Sequence, residues 1–232
     1  MEELIFFRVI NRINSVVFLL LLFGALFLIL IVTFQSNKWQ DRRTFEVIDN
    51  SNSEDANKIE LILEGIHIIE GHDVQYIRLE SKRSGGKFSS GYSGGQIRNI
   101  LFLVGSDIDS HWLYEKHSNY IRNFSHLRKK SNGDKNEPVV ALYIEVVKND
   151  TNGDGELNDE DLCIIGLIKP NGYEYIEIEK SIQSVIDKEV SEDGEHLLIL
   201  AQIDNSVWLK KYSLMNFKKV SEKVITEISK KL

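Results

Sequence analysis

Residues 139–168 read VVALYIEVVKNDTNGDGELNDEDLCIIGLI, and the organisation of the domain follows from this stretch. The run VVALYIEVV is apolar and rich in β-branched residues, which predicts a buried strand over 139–147. The run LCIIGLI predicts a second strand over 162–168. Because an acidic, glycine-containing segment separates the two runs, we expect two core strands joined by a polar loop at 150–161.

The spacing of oxygen-bearing side chains in this loop predicts a calcium site. Ca²⁺ takes about six to eight oxygen ligands, and one known twelve-residue loop supplies them from positions 1, 3, 5, 7, 9 and 12 with glycine at position 6. Here Gly155 stands at position 6, and position 7 offers its backbone carbonyl. We predict that the ligands are Asp150, Asn152, Asp154, Glu156, Asn158 and Asp161.

The loop resembles EF-hand calcium loops, and its aspartate at position 12 resembles the dockerin-type variant. This resemblance covers twelve residues and implies Ca²⁺ as the cofactor. Asp161 replaces the usual glutamate, so its side chain is one methylene group shorter. Strands rather than helices are predicted on both sides, so we expect no helix movement of the calmodulin kind. An acidic hairpin loop that binds no ion is the alternative.

The N-terminal part of the chain predicts a membrane anchor. Residues 16–34 carry no charge, and at about 1.5 Å per residue they approach the ~30 Å thickness of a hydrocarbon core. A cleaved signal peptide is the alternative, but the following residues contain no small-residue cleavage site. The predicted organisation is a short N-terminal segment (1–15), a transmembrane helix (16–34), a linker (35–57) and a β-rich soluble domain (58–232).

The location of the domain is predicted from the loop rather than from the flanking charges. Basic residues lie on both sides of the predicted span, so the positive-inside rule does not fix its orientation. Loops of this kind with weak to moderate affinity need a high calcium concentration. We therefore expect a single-span protein of the cell membrane whose domain is extracytoplasmic (periplasmic).

The net charge, the single cysteine and two further segments bear on possible partners and sites. The net charge of −7 disfavours nucleic acid as a partner, because phosphate contacts dominate such binding. Cys163 is the single cysteine and is expected to be a buried, unreactive thiol. Asp107, Asp109 and His111 alternate and could share a metal, but a turn leading into a strand is the favoured interpretation. The glycine-rich stretch at 84–95 lacks the spacing of a phosphate-binding loop.

The strand-like segments of the soluble domain predict an antiparallel β fold. Residues 160–218 resemble blades of TolB-like β-propellers, although the domain is barely long enough for four blades. Residues 115–137 are expected not to form a strand, and apolar residues at helical spacing in 218–232 predict a short closing helix. The predicted fold class is therefore mainly β: an N-terminal transmembrane helix, an incomplete propeller-like antiparallel domain and a short C-terminal helix. Strands are predicted at 59–67, 73–80, 97–104, 139–147, 162–168, 173–178, 197–203 and 207–214.

The whole arrangement is also similar to small uncharacterised bacterial membrane-anchored proteins. The similarity rests on the anchor, the Asn-Ile-Leu-Phe strand at 99–102, the Trp-Leu pair at 112–113 and the strand–loop–strand unit at 138–168. It implies no particular activity.

Three functions follow as hypotheses. The favoured one is a membrane-tethered, calcium-stabilised β-domain that binds an envelope protein or polymer. The second is an envelope hydrolase, although the sequence contains no HExxH or Cys/His arrangement, so a non-enzymatic role is preferred. The third is a calcium-responsive membrane sensor, which would need a partner within the bilayer.

Overall fold

The computed structural model of the chain describes residue 14 and residues 17–28, 61–81, 95–129 and 137–228. The chain divides into two compact units, residues 1–43 and residues 44–232. The linker at 35–57 and most of the glycine-rich stretch at 84–95 lie outside the described residues.

The first unit corrects the prediction of a transmembrane helix. Residues 17–28 are helical and their side chains are exposed. A helix over those residues rises about 18 Å, which is well short of a ~30 Å hydrocarbon core. Within the described residues, no helix is long and apolar enough to cross a membrane. Residues 16 and 29–34 of the predicted span lie outside the described part of the chain.

The second unit is built from β-strands. In the described ranges the strands are β1 (Leu61–Ile68), β2 (Val74–Ser81), β3 (Gln96–Val104), β4 (Asp109–Trp112), β5 (Tyr120–Arg128), β6 (Val139–Val147), β7 (Cys163–Ile168), β8 (Ile176–Ile182), β9 (Ser184–Val190), β10 (His196–Ile203), β11 (Ser206–Ser213) and β12 (Lys219–Glu227).

These strands form two antiparallel sheets. The eight-stranded sheet has the order β1-β2-β3-β5-β6-β7-β8, with β4 also paired to β3. The four-stranded sheet has the order β12-β11-β10-β9. Propeller blades are separate sheets of four strands, so the larger sheet departs from the incomplete propeller that the sequence predicts. The resemblance of 160–218 to TolB-like blades stays a prediction.

Strand β6 lies at the centre of the core, because both of its faces are covered. On one face, Tyr143 packs in a cluster with β7 and with Ile199 and Tyr212 of the four-stranded sheet. On the other face, Ile144 packs in a second cluster with Phe102 of β3 and residues of β2 and β5. A strand buried on both faces has no polar side to show, which explains the continuous apolar run at 139–147.

The C-terminal segment is a strand, so the predicted closing helix over 218–232 is wrong. Lys219–Glu227 pairs with β11, and the register of that pairing shifts at two places. Each shift interrupts the period-two alternation, and the apolar residues of β12 then fall at a spacing that imitates a helix. Val220, Val224 and Ile225 are exposed.

An ion-pair network connects β8, an end strand of the larger sheet, to β11 and β12 of the four-stranded sheet. Lys210 of β11 is 6% exposed and its Nζ lies 2.9 Å from Glu179 Oε2 of β8. Lys219 of β12 reaches the same carboxylate at 2.7 Å, and the Tyr212 hydroxyl donates a hydrogen bond to it. Burial raises the pKa of Glu179, but hydrogen bonds from Lys219, Tyr212 and Lys210 outweigh burial, so the pKa is lowered overall. The carboxylate therefore stays charged and paired.

Strand β5 lies within residues 115–137, so the prediction of no strand there is wrong. The sequence does not indicate the strand because its apolar residues do not alternate. Ile121, Phe124 and Leu127 are buried at intervals of three, and the pairing of β5 with β6 shifts register near both ends. Bulges of this kind turn a period of two into an irregular one. Arg128, which directly follows Leu127, is paired, since its Nη2 donates to Glu70 Oε2 at 2.6 Å.

Gly166 of β7 should be intolerant of any side chain. A Cβ atom there would lie 2.3 Å from Tyr175 Cε2 and 2.9 Å from Ile144 Cγ2. We expect Gly166→Ala to lower the free energy of unfolding by about 1–3 kcal/mol through overpacking. Gly65→Ala in β1 is the control, because a Cβ there meets nothing within 4 Å. Urea denaturation would measure both, and equal stabilities for the two variants would contradict the packing described here.

Candidate metal-binding loop

The predicted calcium loop connects β6 to β7. Its first half, residues 150–156, is exposed, whereas Leu157 and Asn158 are partly buried and Asp161 is buried with 1% exposure. Leu157 packs against the hydrophobic cluster that contains Tyr143. The loop is therefore anchored to the core at its C-terminal half and open to solvent at its N-terminal half.

The first turn of the loop is organised by Asp150. Its Oδ1 accepts a hydrogen bond from the Gly153 N–H at 2.6 Å, and its Oδ2 accepts one from the Gly155 N–H at 2.8 Å. Gly153 has a φ of 79° and Gly155 a φ of 85°. Both values lie in the left-handed region, where L-residues with a Cβ are strained. The glycine at position 6 is thus required by the backbone conformation.

Three of the predicted ligands meet at the Asp154 carboxylate. Its Oδ2 accepts hydrogen bonds from Asn152 Nδ2 at 3.0 Å and from Asn158 Nδ2 at 2.7 Å. Its Oδ1 accepts the Glu156 N–H at 2.8 Å. These bonds, that of the Glu156 N–H first, lower the pKa of Asp154. The oxygens of the two amides accept backbone N–H groups, Asn152 Oδ1 from Asp154 at 2.9 Å and Asn158 Oδ1 from Glu160 at 2.7 Å. A cation at Asp154 would have to draw these oxygens away from the backbone, and the group would then offer the oxygen atoms that a hard cation binds.

Asp161 closes the loop by joining its two ends. Its Oδ1 accepts bonds from the Thr151 N–H at 2.6 Å, the Thr151 hydroxyl at 3.0 Å and the Asn152 N–H at 3.2 Å. Its Oδ2 accepts the Asn158 N–H at 3.0 Å. Burial raises the pKa of Asp161, but these hydrogen bonds outweigh burial and the pKa is lowered overall. The carboxylate is therefore a charged staple between residues 151–152 and 158.

The loop does not bring its three carboxylates into one ligand group. In the described part of the chain, the group whose ligand atoms all lie within 4.8 Å of one another is Asp193, Glu195 and His196. Like charges repel when no cation lies between them. Asp150, Asp154 and Asp161 are each held by separate hydrogen bonds instead, and Asn152 and Asn158 donate hydrogen bonds to the charged Asp154.

The group at 193–196 was not predicted as a metal site, because the sequence there indicates only a turn. It lies in the β9–β10 connection, and Asp193 and Glu195 are exposed. Asp193 Oδ1 accepts hydrogen bonds from the Ser191 hydroxyl at 2.5 Å and the Glu195 N–H at 2.8 Å. A side chain that bonds backbone two residues ahead is an Asx turn, which accounts for the arrangement without an ion.

The structure places the other sequence candidates in structural roles. His111 Nε2 donates to the Gly172 carbonyl at 2.9 Å and its ring stacks on Tyr173 at 4.2 Å, while Asp109 begins β4 after a turn. Cys163 is fully buried, and burial raises its thiol pKa to about 11. A thiol with that pKa is protonated and unreactive at neutral pH.

A groove between β5 and β9 was not visible in the sequence. Its lining includes Arg122, Arg128, Glu145 and Lys188. The buried Glu145 accepts a hydrogen bond from the Tyr143 hydroxyl at 2.9 Å, and Arg128 is paired with Glu70. Glu145 and Arg128 therefore already have hydrogen-bond or ion-pair partners.

Comparison with known proteins gives little further information. No protein-family model and no curated protein matches the chain. Among solved structures it is similar to a luciferin-regenerating enzyme, with 10% sequence identity over 71% of this chain and a TM-score of 0.36. The matched region spans 60% of that enzyme's chain. A TM-score of this size is too low to support an argument about fold or activity.

The staple formed by Asp161 should depend on its negative charge. A carboxyl whose folded pKa is lowered stabilises the fold above its unfolded pKa, and that stability is lost as pH falls through the folded pKa. We expect Asp161→Asn to lower the free energy of unfolding by about 1–3 kcal/mol at pH 7, since the amide leaves buried donors without an acceptor. The difference from wild type should shrink below pH 4.

Urea denaturation between pH 3 and pH 7 in the presence of chelator would measure this effect. Asp107→Asn is the control, because Asp107 is exposed on the turn before β4. This substitution should change the free energy of unfolding little at any pH. A difference for Asp161→Asn that stays constant from pH 7 to pH 3 would rule out the charge as its cause.

Proposed function

We propose that residues 150–161 bind Ca²⁺ and that the ion stabilises this β-domain by fixing the connection between β6 and β7. The observation that carries the proposal is the meeting of Asn152 and Asn158 on the Asp154 carboxylate, within a turn formed by glycines of positive φ. Asn152, Asp154 and Asn158 occupy alternate ligand positions of the calcium-loop pattern.

The chemistry of the donor set fits a hard cation. All the proposed side-chain ligands are carboxylate or amide oxygens, which suit Ca²⁺ and not the softer metals. In the absence of an ion, the two asparagine amides supply the positive partial charge at Asp154. The proposed ion would take over that role, bringing Asp150 and Asp161 and the Glu156 carbonyl closer to Asp154.

The proposed role of the ion is structural. The two strands that the loop joins are the most buried of the strands that the structure describes, so restraining the loop restrains the core. The position of the domain outside the cytoplasm, and an envelope protein or polymer as its partner, remain predictions from the sequence. The acidic net charge of −7 disfavours nucleic acid as that partner.

Calcium should bind with one-to-one stoichiometry to the wild-type chain. Isothermal titration with CaCl₂ would compare it with Asp150→Ala/Asp154→Ala, in which binding should be lost because two carboxylate ligands are gone. The matched control is Asp193→Ala/Glu195→Ala, which removes the same charge from the β9–β10 turn and should bind as wild type does. Binding lost only in the control would move the site to 193–196, and no binding by wild type would reject the proposal.

Calcium should also raise the stability of the folded domain. A ligand that binds only the folded state stabilises it by about 2.7 kcal/mol at a hundredfold excess over its Kd. We expect the wild-type melting temperature to rise with calcium and that of Asp150→Ala/Asp154→Ala to stay at its value in chelator. The rise in melting temperature on adding calcium is compared, and not the melting temperature itself. The reason is that Asp150 also accepts two backbone hydrogen bonds, so its loss lowers stability even in chelator. Equal increments in both proteins would contradict a structural ion at this loop.

A further inference from the structure

Arg122 of β5 reaches across to the C-terminal half of the loop. Its Nη2 donates hydrogen bonds to the backbone carbonyls of Asp159 and Asp161, both at 2.8 Å. Its Nε lies 3.3 Å from the Asp159 carboxylate, and its Nη1 reaches the Gln183 carbonyl at 3.4 Å. The side chain is 15% exposed, so these bonds form at the edge of the core.

Two other side chains reach the same half of the loop. The Tyr120 hydroxyl donates to Asp159 Oδ1 at 2.8 Å, and Gln96 Nε2 donates to the Leu157 carbonyl at 3.3 Å. The bond from Arg122 is distinct, because a single guanidinium nitrogen holds two carbonyls on either side of residue 160. A planar, rigid guanidinium fixes the direction of what it binds better than a flexible ammonium does.

We propose that Arg122 is the positioning residue of the calcium loop. By holding the carbonyls of Asp159 and Asp161, it fixes the turn that presents the Asp161 carboxylate and Asn158 to the ion. This inference rests on the calcium binding proposed above. Partners that orient metal ligands in this way typically change affinity by about 10- to 100-fold when they are removed.

The positive charge of Arg122 opposes calcium binding, whereas its hydrogen bonds to the loop favour it. Loss of the charge and loss of the hydrogen bonds therefore change Kd in opposite directions. A guanidinium near a bound cation repels it, so removing the charge alone should strengthen calcium binding. Losing the hydrogen-bonding fork should weaken binding because the ligands are no longer fixed. Arg122→Gln removes both the charge and the fork, whereas Arg122→Lys keeps the charge and removes the fork.

The experiment is an isothermal CaCl₂ titration of the full chain at a temperature where circular dichroism shows every variant folded. We expect Kd to rise about tenfold in Arg122→Lys. In Arg122→Gln it should rise by less, because loss of the positive charge partly offsets loss of the hydrogen-bonding fork. Arg128→Gln and Arg128→Lys are the matched controls, because Arg128 lies on the same strand and pairs with Glu70. Both control variants should keep the wild-type Kd.

Amide hydrogen exchange in chelator supplies a second readout that does not need the ion. Exchange of the amides at 158–162 should accelerate in Arg122→Lys and stay unchanged in Arg128→Lys. Tighter binding by Arg122→Gln with unchanged binding by Arg122→Lys would show that charge alone acts, and would overturn the inference. Unchanged affinity in both Arg122 variants would overturn it as well. No calcium binding by wild type would instead reject the proposed function, and the inference with it.

Discussion

The burial of β6 on both faces is the constraint on which the rest of the domain depends. A strand that is covered above and below, and paired on both sides, has no solvent-facing side chain to offer. Its neighbours must therefore supply two separate apolar surfaces, one from β2 and β3 and one from the four-stranded sheet. Burying a single side chain such as Ile144 contributes about 1.5–3 kcal/mol, and most positions of β6 contribute in this way.

The same constraint explains the character of the loop that follows β6. A connection between two buried strands begins and ends at fixed points, so its conformation is specified from both ends. Asp161 is buried at one of those points, and it satisfies the backbone donors that the turn leaves open. The exposed half of the loop then needs little more than glycine conformations and local side-chain bonds to complete the turn.

The sequence predicted those parts of the fold whose apolar residues follow a simple period. The long apolar run predicted β6, and alternation predicted β2. The pairing of β2 with β3 keeps its register from Val74 to Leu79 and shifts only near its end, between Leu79 and Glu80. The helix expected over 218–232 and the missed strand β5 share one cause, since bulges in both strands shift the spacing of apolar residues. The predicted span at 16–34 rested on apolar length alone, and the described helix covers too little of that length.

In the loop, spacing identified Asp154 and its two asparagine partners. The staple role of Asp161 and the contacts of Arg122 depend on tertiary neighbours that spacing does not encode.

The strand order has a consequence for how the chain acquires its structure. Among the described strands, every hydrogen-bonded pair except β3 with β5 joins neighbours in the sequence. Such local pairing keeps the loops that must close short, which speeds the folding of β proteins relative to Greek-key arrangements. A hairpin of neighbouring strands does not need distant strands to be in place. The ion pairs of Glu179 with Lys210 and Lys219 differ in this respect, because they join β8 to the four-stranded sheet and so require both sheets to be formed.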